Sequence, residues 1–355
     1  MTRHIHTATQ ENHREAIELA LAGGTPERVP FSYYDLLFPP DFDPASLQAK
    51  GMAICARRDV CRKRLPNVKV TEITERDGSL RTSYETPVGT LTSLFHQALV
   101  GMAPAEYLIK RREDYRAAQF IVEDTVYDPM YDAFREEERK IGVTGKVIGH
   151  TGYDPMLDLQ IMWIGQEQFC YELADNEDAL MELYEAMVRR DSRMFDVVAK
   201  GPADVVLYSG NLVPEMVGPD LVRRYICPVW DAFADVLHEH GKKLGVHLDA
   251  NNRLILDMVR DLRIDLVEAF TPPPDCNVTV AEARAAWPGK VLWINFPSSV
   301  HLQSEEVLRS ATLEILNQAG DRSAFLMGVT EDVPRVHMDR SPAIILDVLK
   351  EQMRS

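Results

Sequence analysis

The sequence predicts a closed (β/α)8 TIM barrel, an α/β fold with an N-terminal helical segment and an inserted β-meander. Three observations predict it. Short apolar runs alternate with helical stretches from about Pro104 onward, helices end in "GKK" or "PGK" steps that lead straight into the next run, and no GxGxxG follows the first strand. Continuous apolar runs between helices are the pattern of parallel strands covered on both faces. The missing glycine fingerprint removes the usual mark of the competing fold, a doubly wound open sheet.

The elements follow in order. "ENHREAIELALAGG" reads as a helix, because Ala16, Leu19 and Ala20 share a face and Gly23-Gly24 supplies a stop. "RVPFSYY" reads as the first strand, and a polar, Pro-bounded stretch then leads to an expected helix holding Cys55 and Cys61. Residues of about 68–97 alternate apolar and polar around Asp77-Gly78 and a second turn at Pro87 to Gly89, which is the meander. The later apolar runs are "KVIGHTG", "ADVVLYSG", "KKLGVHLD", "DLVEAF", "KVLWINF" and "SAFLMGVT". Together with Arg28 to Tyr34, and with Val68 to Ile73 as an eighth candidate, they make up the barrel. The 355 residues are read as one domain, with an N-terminal extension over 1–26.

"WDAFADVLHEHGKKLGVHLD" shows how the barrel turns: Gly241 ends a helix, Lys242 and Lys243 sit at its negative end, and a strand begins at once. His238 and His240 fall in that last helical turn on different faces, so "HEHGKK" is read as a helix end rather than a metal box. Such αβ loops belong to the stability face of a barrel, and function is expected at the opposite strand ends.

Composition bounds the chemistry. With 45% hydrophobic and 26% charged residues the chain can bury a sizeable core, and a net charge of -16 argues against nucleic acid or an anionic membrane surface as partner. Small molecules or proteins are expected, and a homodimer is admitted. Five scattered cysteines without a CxxC pair, no apolar leader and no membrane-spanning run give a cytoplasmic expectation.

The strand ends collect polar side chains. Tyr33, Tyr34 and Asp35 follow the first strand; His150 and Tyr153, then Tyr208, Ser209 and Asn211, follow the next two runs; His247 and Asp249, Glu268, Asn295, and finally Thr330, Glu331 and Asp332 follow the rest. Residues i and i+2 of an extended chain face the same way, so His247 and Asp249 can reach one metal or one substrate, with Glu331 as the third donor. An imidazole with two carboxylates suits zinc, iron or manganese. The competing reading makes Asp249 the N-cap of a following helix, "NNRLILDMVRDL".

These residues carry a resemblance. The stretch "GPADVVLYSGNLVPEMVGPDLVRRYICPVWDAFADVLHEHGKKLGVHLDANNRLILDMVRDLRIDLVEAF", with "ERVPF", "YETPVGTLT", "EYLIKRREDYRAAQFIVED" and "GVTEDVP", resembles the uroporphyrinogen decarboxylase-like superfamily, in its corrinoid-dependent methyltransferase branch. The resemblance implies a (β/α)8 barrel with its funnel at the C-terminal strand ends, a methylated small-molecule donor or tetrahydrofolate-type acceptor, and a corrinoid. No DxHxxG cobalamin motif is present, so the corrinoid is expected on a separate protein. "FSYYDLLFPP" lacks the arginines that hold porphyrinogen carboxylates in true decarboxylases, which disfavours that reaction and leaves a lyase of a smaller acid as the alternative. The thiol-using branch has His-x-Cys where this chain has His247-x-Asp249, and a Cys near Glu331. The resemblance thus implies a harder metal site, or a metal-free acid/base site, built on His247, Asp249 and Glu331. Tyr34, Asp35, His150, Tyr153, Tyr208, Asn211, Glu268 and Asn295 are the expected substrate contacts.

Overall fold

The structure, a computed structural model, describes residues 12–98, 102–208 and 210–353. Residues 1–11 of the expected extension and Ser209 lie outside these. Eight parallel strands close into a barrel: β1 (Phe31–Tyr34), β2 (Met52–Asp59), β3 (Gly145–His150), β4 (Val205–Tyr208), β5 (Lys243–His247), β6 (Leu266–Phe270), β7 (Val291–Asn295) and β8 (Phe325–Val329). Each strand bonds to its chain neighbours, and β1 closes on β8 with Phe31 opposite Met327. Every residue of β4, β6, β7 and β8 is buried, as runs without polar alternation require when both faces are covered.

Two expectations are corrected. The stretch with Cys55 is strand β2, paired in register with β1 from Phe31↔Met52 to Tyr34↔Cys55, and Cys61 lies in a strand too. A short apolar run rich in Ala, Met and Arg has no strong local preference for strand, so the pairing with β1 decided it. The second correction follows: Lys69–Thr74 belongs to the meander and not to the barrel. That meander has four antiparallel strands, Lys69–Thr74, Leu80–Thr86, Gly89–Gln97 and Met102–Glu106, and so runs further than 97. Its first turn uses Gly78 at φ 86°, with the Asp77 carboxylate accepting from the Ser79 amide at 2.9 Å. A second antiparallel pair, Cys61–Arg64 with Val126–Pro129, was not anticipated.

The chain divides into two compact units, Met1–Arg57 with Arg135–Ile148 and Leu266–Ser355, and Arg58–Phe134 with Gly149–Asp265. In the first, the Trp293 indole donates to Ser32 Oγ at 3.1 Å, and Gly328 makes room for the pair. In the second, Phe195 stacks on Phe233 at 4.1 Å, and Tyr208 meets both rings edge-on. The helix Cys227–Glu239 ends as the sequence predicts: Gly241 takes φ 69°, the Lys242 amide returns to the Leu237 carbonyl at 3.0 Å, and β5 starts at Lys243. All five cysteines are free. Among the described residues no helix is long and apolar enough to cross a membrane.

Candidate functional site

β5 is buried from Leu244 to its last residue, His247, which is 7% exposed. Asp249 lies two residues on, and its Oδ2 is 3.6 Å from His247 Nε2. The extended backbone therefore puts both groups on one side, as the spacing predicts. The reading of Asp249 as a helix cap is not met: the next helical turns begin after Asn252 and Ile255, and neither makes a capping bond. Asn252 instead bends the loop back, its amide donating to the carbonyls of Leu248 and Ala250 at 3.0 and 2.9 Å. Glu331 stands two residues past the end of β8. Within the second unit, His247 and Asp249 each offer a ligand atom to one ion.

The donor set can be tested against the metal it suggests. Bonds of about 2.0–2.2 Å from nitrogen and oxygen put neighbouring donors of a tetrahedral ion roughly 3.4 Å apart. The 3.6 Å between imidazole and carboxylate fits that spacing. One nitrogen and two carboxylate oxygens, without sulfur, suit zinc, iron(II) or manganese.

In the first unit a second set gathers around Tyr34. Its hydroxyl donates to Glu268, and both side chains are wholly buried. Burial, then the facing charges of Glu268 and Cys55, push the Tyr34 phenol well above its ordinary value, so it stays protonated and remains a donor. Glu268 is aimed by a bulge: the β6–β7 register slips between Glu268 and Phe270, and Ala269 takes φ 56°. The Arg57 guanidinium lies 4.3 Å from the Tyr34 ring centre. Burial works against its charge, but Tyr34, Glu268, Cys55 and Glu331 around it outweigh that and raise its pKa. Arg57, the sixth residue of β2, is a strand-end cation, and no local signal in its stretch marks a strand.

The remaining expected contacts divide. His150, about one-third exposed, has Nδ1 3.7 Å from an Asp59 carboxylate oxygen, and the Asn211 amide donates to the Tyr153 hydroxyl at 2.6 Å. Asp35 opens a short 3-10 turn directly after β1. The Tyr208 hydroxyl is buried and donates to Asp191 of the helix Glu177–Ala199 at 2.8 Å. Asn295 braces the strand ends: its amide donates to Thr271 Oγ1 at 3.3 Å and its oxygen accepts from the Thr330 amide at 3.0 Å. Gln160 was not anticipated at all. It sits in a π-helical turn, Leu159–Trp163, is 1% exposed, and neither amide atom has a partner among the described residues. Nothing in a linear sequence marks a π turn.

No family model and no curated protein matches the chain. Solved structures do. A methyltransferase from Methanosarcina mazei is similar over 96% of this chain and 98% of its own, with a TM-score of 0.58 and 12% identity. A candidate vitamin-B12-independent methionine synthase from Listeria monocytogenes covers 64% and 70% at TM-score 0.39 and 8% identity. A broad-specificity endoglucanase from Bacteroides salanitronis covers 100% and 99% at 0.46 and 12%. At 12% identity the likeness to the Methanosarcina mazei protein is one of fold, and the (β/α)8 barrel is the conclusion that sequence, strand order and that structure share.

Proposed function

We propose that the chain is a corrinoid-linked methyltransferase of the uroporphyrinogen decarboxylase-like superfamily. It moves a methyl group between a small methylated donor, or a tetrahydrofolate-type acceptor, and the cobalt of a corrinoid carried by a separate protein. The observation that carries the reading is the imidazole–carboxylate pair at the end of β5, His247 Nε2 and Asp249 Oδ2 at 3.6 Å, with Glu331 after β8 as the third donor that the sequence suggests. That is the face where barrels of this kind do their chemistry.

His247, Asp249 and Glu331 would hold a divalent ion. Bound there, zinc or a like ion acts as a Lewis acid and eases loss of a proton from a coordinated oxygen, nitrogen or sulfur. The chain's own groups do the rest. Tyr34, kept protonated by burial, fixes the Glu268 carboxylate by donating to it. Arg57 stays charged among Glu268 and Glu331, so it balances carboxylates that would otherwise repel one another and an incoming polar group. In a metal-free site, Asp249 or Glu331 takes the proton directly.

The test mixes the purified protein with cob(I)alamin and a panel of methoxylated and N-methylated donors, and with methylcobalamin plus tetrahydrofolate or a thiol. The expected result is growth or loss of the methylcobalamin spectrum, reduced on the order of 100-fold in His247→Ala and Glu331→Gln. No spectral change with any donor or acceptor overturns the reading. Elemental analysis of the wild type beside His247→Ala decides the metal: about one ion per chain, lost in the variant, is expected. A second reading, a lyase of a small carboxylic acid, is favoured by Arg57, a strand-end cation able to meet a carboxylate. Release of CO2 from small acids without any corrinoid signal selects it.

A further inference from the structure

The second unit holds a cavity of about 520 Å³ that the methyl-transfer reading does not use. It lies under the meander, with Tyr84 and Phe95 of two meander strands and Trp163 of the π turn among its walls, and Val68 and Leu108 between them. That size falls in the usual range for small-molecule sites, roughly 300–1,000 Å³. Aromatic walls of this kind suit a flat ring system.

Its polar end is built from two buried side chains. Arg190, 2% exposed, and Asp158, 8% exposed, both line the cavity. Arg190 Nε donates to Asp191 at 2.7 Å, and its Nη2 donates to Asp158 Oδ2 at 3.3 Å. Asp191 has further donors, the Tyr208 hydroxyl at 2.8 Å and the Tyr127 hydroxyl at 3.5 Å. Asp158 differs, for Arg190 is its one side-chain donor among the described residues. Among those residues Asp158 Oδ1 accepts no hydrogen bond, and Arg190 Nη1 donates none. An acceptor and a donor thus stand side by side at the end of an aromatic-walled cavity.

The charge there selects the ligand further. Lys63 also lines the cavity, so two cations, Arg190 and Lys63, stand against two carboxylates, Asp158 and Asp191, and no positive charge is left unbalanced for an anion. A cation would meet Arg190. A neutral edge with an N–H beside a C=O satisfies both groups, the N–H toward Asp158 and the carbonyl toward Arg190. We propose that this cavity binds a neutral, flat heterocycle through a lactam edge, the ring lying among Tyr84, Phe95 and Trp163. Pterins, purinones and quinazolinones are of this class.

The test compares quinazolin-4-one, which has the edge, with quinazoline, which has the same rings without it. Binding is read by calorimetry and by quenching of tryptophan fluorescence, and is independent of metal content and of methyl transfer. Quinazolin-4-one is expected to bind at least roughly 10-fold more tightly, because a hydrogen bond to a charged partner contributes about that factor or more. Asp158→Asn should reduce that preference, and Ser93→Trp, which obstructs the cavity from the Gly89–Gln97 strand, should abolish binding. Val70→Trp, at a position 43% exposed on the cavity's rim, repeats the obstruction where folding is less at risk. No binding by either probe at millimolar concentration overturns the proposal. So does equal binding of the two, or binding that folded Ser93→Trp and Val70→Trp leave intact.

Discussion

His301 and Asp191 show how far burial sets the behaviour of single polar residues. The His301 ring is fully buried with Nδ1 bonded to the Ser341 hydroxyl, and among the described residues Nε2 has no partner. Burial, with Asp275 opposing and His337 assisting, pushes its pKa from 6.5 down to about 4. The folded state therefore prefers the neutral ring, while the unfolded chain takes up a proton below pH 6.5. Stability should fall as pH drops from 6.5 to 4, by roughly 1.4 kcal/mol per unit and about 3 kcal/mol in all. Urea midpoints of wild type and His301→Gln across that window check it: the variant should show the flatter curve. Asp191 makes the opposite case. It balances Arg190, which is 2% exposed, and Asp191→Ala leaves that charge with Asp158 as its remaining carboxylate. A loss of about 3–5 kcal/mol in chemical denaturation is expected.

Among the elements, β2 is the instructive failure and β5 the success. "KKLGVHLD" announces itself by a helix stop, two lysines at the helix end and an unbroken apolar run, all local signals. "MAICARRD" has none of these and becomes a strand by pairing with β1, which is why Arg57 was invisible until the barrel was built. Strand packing also fixes residues that local reading passes over. A Cβ on Gly328 of β8 would lie 2.8 Å from both the carbonyl and the hydroxyl oxygen of Ser32, whose hydroxyl accepts from Trp293. Gly328→Ala should cost about 1–3 kcal/mol, read as a lowered denaturation midpoint with the same slope. A neutral result would mean that β1 and β8 can part without loss.

For the whole molecule, the metal reading makes a thermodynamic demand. An ion that binds the folded chain and not the unfolded one stabilises it by about 2.7 kcal/mol at 100 times its Kd. Zinc or manganese should therefore raise the melting temperature of wild type and leave Glu331→Gln unmoved. An equal shift in both would remove His247, Asp249 and Glu331 as ligands. Seven of the eight barrel strands are legible in the apolar runs and their helix stops, because burial on both faces and helix termination are written in neighbouring residues. His247 and Asp249 were legible as a pair for the same reason, since two residues of one strand share a face whatever surrounds them. Tertiary structure alone decided the rest. It turned Tyr208 to Asp191, made Asn295 a brace, brought Arg57 over Tyr34 and joined Asp158 to Arg190, because those partners lie far apart in the chain and meet only when strands and helices pack.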